Sequence, residues 1–226
     1  MSQLKWCFGS LNESQEKEFI YRRLEMVTGA SIPPGLHLAF TNLVSTSQKA
    51  IRSFALKNVT EMVLNGVTDK KEASKIEDAK LRASSTVSLR DIQRVFSLFD
   101  FFSKDFSSAI SIPVESAPAK REALLLAIGI VYYMRLDSKS RMEFLRLLND
   151  LPGEVTEGKG LKEVLDYAID TVVKNANVPQ GVALTRGLKE NLFMTLVCAL
   201  SRTPLMIVGP PGSSKVRILG EKGPFL

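Results

Sequence analysis

Leu205 to Lys215, LMIVGPPGSSK, is the stretch of this chain whose residue types and spacing could do chemistry. Leu205–Val208 is a short continuous apolar run, the pattern of a fully buried parallel strand. Gly209, Pro210, Pro211, Gly212, Ser213, Ser214 and Lys215 then form a tight turn that ends in a cation. In a loop of this kind successive backbone N–H groups point inward and cradle phosphate oxygens. Gly209 and Gly212 allow a close approach that a side chain would obstruct. Lys215 would reach the β- and γ-phosphates, and a following helix start would offer its positive end to the same anion. The chemistry expected is binding of a nucleoside triphosphate such as ATP.

The usual pattern is G-x-x-x-x-G-K-[ST], and two positions depart from it. Ser214 stands where the second glycine belongs, and Val216 stands where Ser or Thr would ligate Mg²⁺. Valine has no oxygen to offer, so the magnesium ligand is missing. Phosphoryl transfer also needs an acidic residue at a strand end, a water-positioning group and an arginine donor. Eleven residues, VRILGEKGPFL, follow Lys215, with Gly220, Gly223 and Pro224 interrupting any helix there. The tail reads as a truncation of such a module, an alternative exon end or an incomplete gene model. The competing reading of the loop is a Pro/Gly-rich surface turn after a hydrophobic strand.

Helices must carry this loop. Thr185–Ser201 is apolar nearly all round in its second half, LFMTLVCAL, which predicts a buried helix ended by Pro204. Leu161–Asn175 is amphipathic, with Leu161, Val164, Leu165, Ala168, Ile169 and Val172 inward. Val178–Gly181 breaks it. The clearest pattern is Ser88–Phe102: Ser88 caps, Asp91 takes the capping-box position, and Ile92, Val95, Phe96, Phe99 and Phe102 line one face. Arg90, Arg94 and Ser97 line the opposite face. Glu13–Val27 is helical, capped by Asn12 or Ser14, with Phe19, Ile20, Leu24 and Val27 as its stripe. A second helix runs from about Leu36 to Leu56. Asn58–Asp69 is ambiguous, with room for a short helix at Thr60–Leu64. Asp69–Ser85 is polar and reads as a surface segment, either an exposed helix with Glu/Lys pairing or a mobile loop. Ser103–Pro118 reads as a loop, Ala119–Arg135 and Lys139–Leu148 as helices split near Leu136–Ser138, and Leu151–Gly160 as a linker.

The chain has 226 residues, a net charge of +6, two cysteines and one histidine. The positive residues are interleaved with Glu and Asp rather than gathered into a stripe, so no nucleic-acid partner is expected. Cys7 and Cys198 are far apart and support neither a disulfide framework nor a zinc site. His37 reads as a surface or helix-start residue. The apolar runs Ala123–Met134 and Leu192–Leu200 fall short of the ~20 residues of a membrane span. The N-terminus, MSQLKWCFGS, has no apolar signal region, and the expected compartment is the cytoplasm.

Gly181–Lys215, GVALTRGLKENLFMTLVCALSRTPLMIVGPPGSSK, closely resembles the start of an AAA+ module in the mysterin type of giant AAA+ RING E3 ubiquitin ligases. In that family a helix reading "LT-x-x-LK-x-N-x-F" precedes a strand and a G-x-P-G-S-S-K loop, so Ser214 matches the family's own variant. Val216 departs from it. Val87–Phe102, VSLRDIQRVFSLFDFF, resembles the helix bearing "S-L-R-D" in the helical lid of such modules, and the resemblance assigns Arg90 a nucleotide-sensor role. As the first-turn arginine of an isolated helix it would be an ordinary exposed cation. Trp6–Tyr21 resembles the segment leading into that lid.

The resemblance implies a mainly α chain: a helical AAA+ lid-like bundle and connection over residues 1–150, then over 151–226 a linker helix and the first helix, strand and P-loop of a truncated α/β module. It implies ATP as ligand, with Gly209–Val216 as its site, and other AAA+ segments or ubiquitin-pathway proteins as partners. No RING pattern of spaced Cys and His is present, so neither ligase activity nor ATP hydrolysis is expected of these residues alone. The other reading is a non-enzymatic helical interaction domain with a vestigial phosphate loop. Lys215 separates the two, since only the first makes the lysine matter.

Overall fold

A computed structural model describes residues 11–28, 34–64, 86–109, 119–151, 158–176 and 183–205. Every regular element among them is helical: α1 (Glu13–Thr28), α2 (Pro34–Leu64), α3 (Leu89–Lys104), α4 (Phe106–Ala109), α5 (Lys120–Ile128), α6 (Ser138–Asn149), α7 (Leu161–Asn175) and α8 (Arg186–Leu200). α5 runs into a five-residue π turn, Gly129–Tyr133. The mainly α expectation therefore holds for the described residues. Met206–Val208, the body of the expected strand, lies outside them, as do Asp69–Ser85 and the phosphate loop.

The helices form a stack. α3 packs along α5, with α1 on its other side. α1 and α2 pair with each other, and α6 rests on α2. α5 leans on α7, and α7 carries α8 at the edge of the bundle. This order explains why α3 is buried more widely than its stripe predicted. Beyond the five expected residues, Leu98, Phe101 and Asp91 are also buried, because neighbours press on α3 from more than one side. Its start follows the capping logic in part. The Ser88 N–H donates to Asp91 Oδ2 at 2.8 Å. The Ser88 hydroxyl turns to the same carboxylate, at 3.3 Å.

Four sequence expectations change. α2 does not stop at Leu56 but continues unbroken to Leu64, absorbing the ambiguous Thr60–Leu64 turn. No Gly or Pro interrupts it after Gly35, and Lys57 ties its outer half to Glu143 on α6 at 2.5 Å. The expected loop from Ser103 opens instead with the end of α3, which runs to Lys104, and then with α4, where Phe106 is buried edge-on against Phe101 and Phe102, 6.0 and 5.0 Å away. His37 does sit in the first turns of α2, but it is buried rather than on the surface, with the Tyr21 ring 6.0 Å away edge-on. α8 is buried on one side only, with Ala199 and Leu200 exposed, since it closes an edge of the stack. Elsewhere the reading holds closely: the inward residues named for α7 are its buried residues, and Asn12 caps α1 through a reciprocal pair of bonds with Gln15 at 2.9 and 3.0 Å.

Polar groups are built into the core at the junction of α2, α3 and α5. The buried Tyr132 hydroxyl donates to Gln48 Oε1 at 2.6 Å, and Gln48 Nε2 donates to the Ser88 carbonyl at 3.4 Å. Close by, the buried carboxylates of Glu16 and Asp91 are each met by arginines, Arg52 for the first and Arg94 and Arg135 for the second. Burial, reinforced by the Asp91 charge, pushes the Tyr132 phenol far above its ordinary value of 10.0. A phenol with a raised folded pKa stabilises the fold fully below about pH 10, and that contribution is lost as pH climbs above it. Tyr132→Phe is accordingly expected to cost about 1–3 kcal/mol at neutral pH, because Gln48 Oε1 is left unpaired. It should also flatten the alkaline limb of stability. Denaturant melts at pH 7 and pH 11 check both.

The π turn has a structural reason. Met134 N–H closes a wide ring on the Gly129 carbonyl at 2.8 Å. A Cβ on Gly129 would lie 2.7 Å from a Leu165 methyl carbon, so glycine here lets α7 approach α5 closely. The turn also rotates Tyr132 inward and leaves Tyr133 facing α6.

Candidate functional site

α8 is the last described helix before the expected phosphate loop in the chain. The Thr185 hydroxyl caps it by accepting from the Leu188 N–H at 3.3 Å. Leu192, Phe193, Leu196, Val197 and Cys198 form its buried face. Burial pushes the Cys198 thiol up, which keeps it protonated and unreactive.

The outer flank of α8 is held by charge. Arg141 of α6 grips Glu190 with two parallel bonds of 3.0 and 3.1 Å. The same guanidinium donates to the carbonyls of Leu136, at 2.9 Å, and Met134, at 2.8 Å. It lies over the Tyr133 ring, 5.1 Å from the centroid. Arg186, one turn before Glu190, adds a bond of 3.0 Å to the same carboxylate. Burial tends to raise the Glu190 pKa, but the hydrogen bonds and charges of Arg141 and Arg186 outweigh it and hold the carboxyl below its ordinary value of 4.5. Two further pairs, Arg186 with Asp166 and Lys189 with Asp170, fasten α8 to α7.

α8 ends in a tight reversal. Thr203 N–H donates to the Cys198 carbonyl at 2.9 Å and Arg202 N–H to Ala199 at 3.4 Å, the Schellman arrangement. Its left-handed residue, usually glycine, is Arg202 at φ 55°. Arg202→Gly is therefore expected to raise stability by about 1 kcal/mol through relief of that conformation. A shift of the thermal midpoint upward checks it.

Pro204 and Leu205 follow the reversal. Gly209, Pro210, Pro211, Gly212, Ser213, Ser214, Lys215 and Val216 lie outside the described residues. Arg90 is described: it is exposed in the first turn of α3 and makes no ion pair or hydrogen bond among the described residues. Its neighbours Arg94 and Arg135 are both engaged with Asp91. No helix among the described residues is long and apolar enough to cross a membrane.

Sequence reasoning did not find the Arg141 grip on Glu190. The spacing of Arg186 and Glu190 on one helix face is legible as an i,i+4 pair. Arg141 is 49 residues from Glu190 and carries no local signal.

Comparison with known proteins bears on the same region. Residues 181–219 match the family described as the RNF213 AAA domain, a span that contains α8 and residues Gly209–Val216. Over 220 residues the chain is 27% identical to an E3 ubiquitin-protein ligase rnf213-beta of Danio rerio, covering 95% of this chain. It is 25% identical to E3 ubiquitin-protein ligase RNF213 of Mus musculus over 225 residues, 94% of the chain. It is 26% identical over 240 residues to a Dictyostelium discoideum protein described as an uncharacterized transmembrane protein. In each case the chain spans about 4% of the length of the curated relative. No solved structure matches it. With residues 181–219 matching the family's AAA domain and nearly the whole chain aligned along the same relatives, the chain is similar to a short stretch of mysterin-type (RNF213) proteins.

Proposed function

We propose that this chain binds ATP through the phosphate loop that follows α8. The observation that carries the reading is the coincidence of the RNF213 AAA match, residues 181–219, with a strand-loop sequence ending in Lys215. The donor set suits a phosphate: loop amides between Gly209 and Ser214, hydroxyls on Ser213 and Ser214, and the Lys215 ammonium. It does not suit magnesium, because Val216 has no oxygen where the metal ligand belongs. We therefore assign these residues binding without turnover.

In this reading residues 1–150 act as a helical AAA+ lid-like region. Residues 151–226 supply a linker helix and the first part of a P-loop module. Arg90, exposed on α3, is a sensor-like cation for nucleotide held elsewhere. The relatives' names, E3 ubiquitin-protein ligases, make other AAA+ segments and ubiquitin-pathway proteins the proposed partners and the cytoplasm the proposed compartment.

Calorimetric titration with ATP, with and without Mg²⁺, tests the reading beside Lys215→Ala. Binding heat is expected from the unaltered chain and none from the variant. Heat unchanged by Lys215→Ala would remove the loop from the site. No heat from either protein would favour a helical interaction domain with a relic loop.

A further inference from the structure

We propose that the outer face of α6 is a docking line for an acidic helix of a partner protein. α6 turns Phe144 and Leu148 into the core, while Arg141 reaches across to Glu190 on α8. Its opposite side faces solvent. There Lys139, Met142 and Arg146 follow one another at steps of three and four residues, so they form one row along the helix. Lys139 and Arg146 are exposed, and Met142 between them is 60% exposed. Methionine is an apolar side chain that adapts its shape to whatever packs on it.

The row carries cations that nothing in the described bundle neutralises. Asp137 spends its carboxylate on the cap, accepting from the Lys139 and Ser140 N–H groups and from the Ser140 hydroxyl. Glu143 is engaged by Lys57 of α2. Neither Lys139 nor Arg146 forms an ion pair with a described residue. The first turn of α6 holds no acidic residue, so Lys139 sits at the positive end of the helix dipole, where a cation is disfavoured.

The shape of the row selects the kind of anion. Lys139 and Arg146 are seven residues apart, about 10 Å along the axis. A helix lying alongside matches that spacing when its own carboxylates stand seven residues apart, with an apolar residue between them to cover Met142. A broad anionic surface, lipid or nucleic acid, would also meet Glu143 beside the row and Asp150 beyond its end, and both would repel it. A single helix can touch the row and leave both acids in water.

The test uses the full chain and a labelled synthetic helix with two glutamates seven residues apart and leucine between them. Its twin carries lysines in place of the glutamates. Fluorescence anisotropy is expected to show binding of the acidic helix that weakens as ionic strength rises, and no binding of the twin. Lys139→Gln combined with Arg146→Gln should weaken the acidic helix about tenfold, and Met142→Asp should weaken it at least as much. Arg23→Gln combined with Lys174→Gln removes the same charge from α1 and α7 and should leave the affinity unchanged. All five residues are exposed, so these variants fold. No binding of the acidic helix, equal binding of both helices, or an equal loss in the two double variants would overturn the proposal. Tighter binding of phosphatidylserine vesicles or of duplex RNA than of the acidic helix would overturn it in favour of that partner.

Discussion

Phe193→Ala is expected to lower the unfolding free energy by about 3–5 kcal/mol. Phe193 is fully buried on the inner face of α8 and belongs to the same core as α3 and α5. Its removal leaves a cavity at the edge of the stack. The flanking residues cannot close it easily, because Asp166, Asp170 and Arg141 hold α8 at its present distance. The loss should fall first on α8 and α7, since α7 is the main neighbour of α8 in the bundle. Urea unfolding gives the magnitude, and amide exchange gives the location. An unfolding midpoint within error of the unaltered chain would show that α8 is not part of the core.

Arg141→Ala is expected to cost about 3 kcal/mol at neutral pH, the low end for breaking a buried pair. The side chains of Arg141 and Glu190 are 19% and 15% exposed, so water replaces little of what is lost. The pH dependence identifies the cause. The Glu190 pKa is depressed in the folded chain, so its contribution is present above its ordinary value of about 4.5 and is lost as pH falls through the folded pKa. The difference between the unaltered chain and Arg141→Ala should therefore be widest near pH 7 and shrink towards pH 3. A difference constant across that range would mean that Arg141 acts through packing on Tyr133 and not through charge.

These two expectations divide cleanly between what is local in the chain and what is not. The stripes of α3 and α7 were legible because a helix that buries one face repeats its apolar residues every three or four positions, and the residues named for α7 are its buried set. The caps at Asn12 and Ser88 were legible for a similar reason, since each acts within three residues of itself. The glycine- and proline-rich run before Lys215 is also a local pattern and falls within the family match over residues 181–219, while its structure lies outside the described residues.

Burial that depends on neighbours was not legible. His37 reads as a surface or helix-start residue; it is at the start of α2, but its burial beside Tyr21 was not legible because nothing in its own helix marks that neighbour. The second half of α8 looked buried all round, yet Leu200 is exposed, because the helix occupies the edge of the stack rather than its middle. α2 runs past Leu56 to Leu64 with no Gly or Pro to end it, and the pairing of Lys57 with Glu143, 86 residues away, is not written in the local sequence. The Arg141–Glu190 pair has the same character. Helical period, capping and motif spacing act over a few residues and are written in order along the chain. Which side of a helix is covered, and which charges meet across 40 or more positions, depends on the order in which the helices stack, and only the tertiary structure decides that.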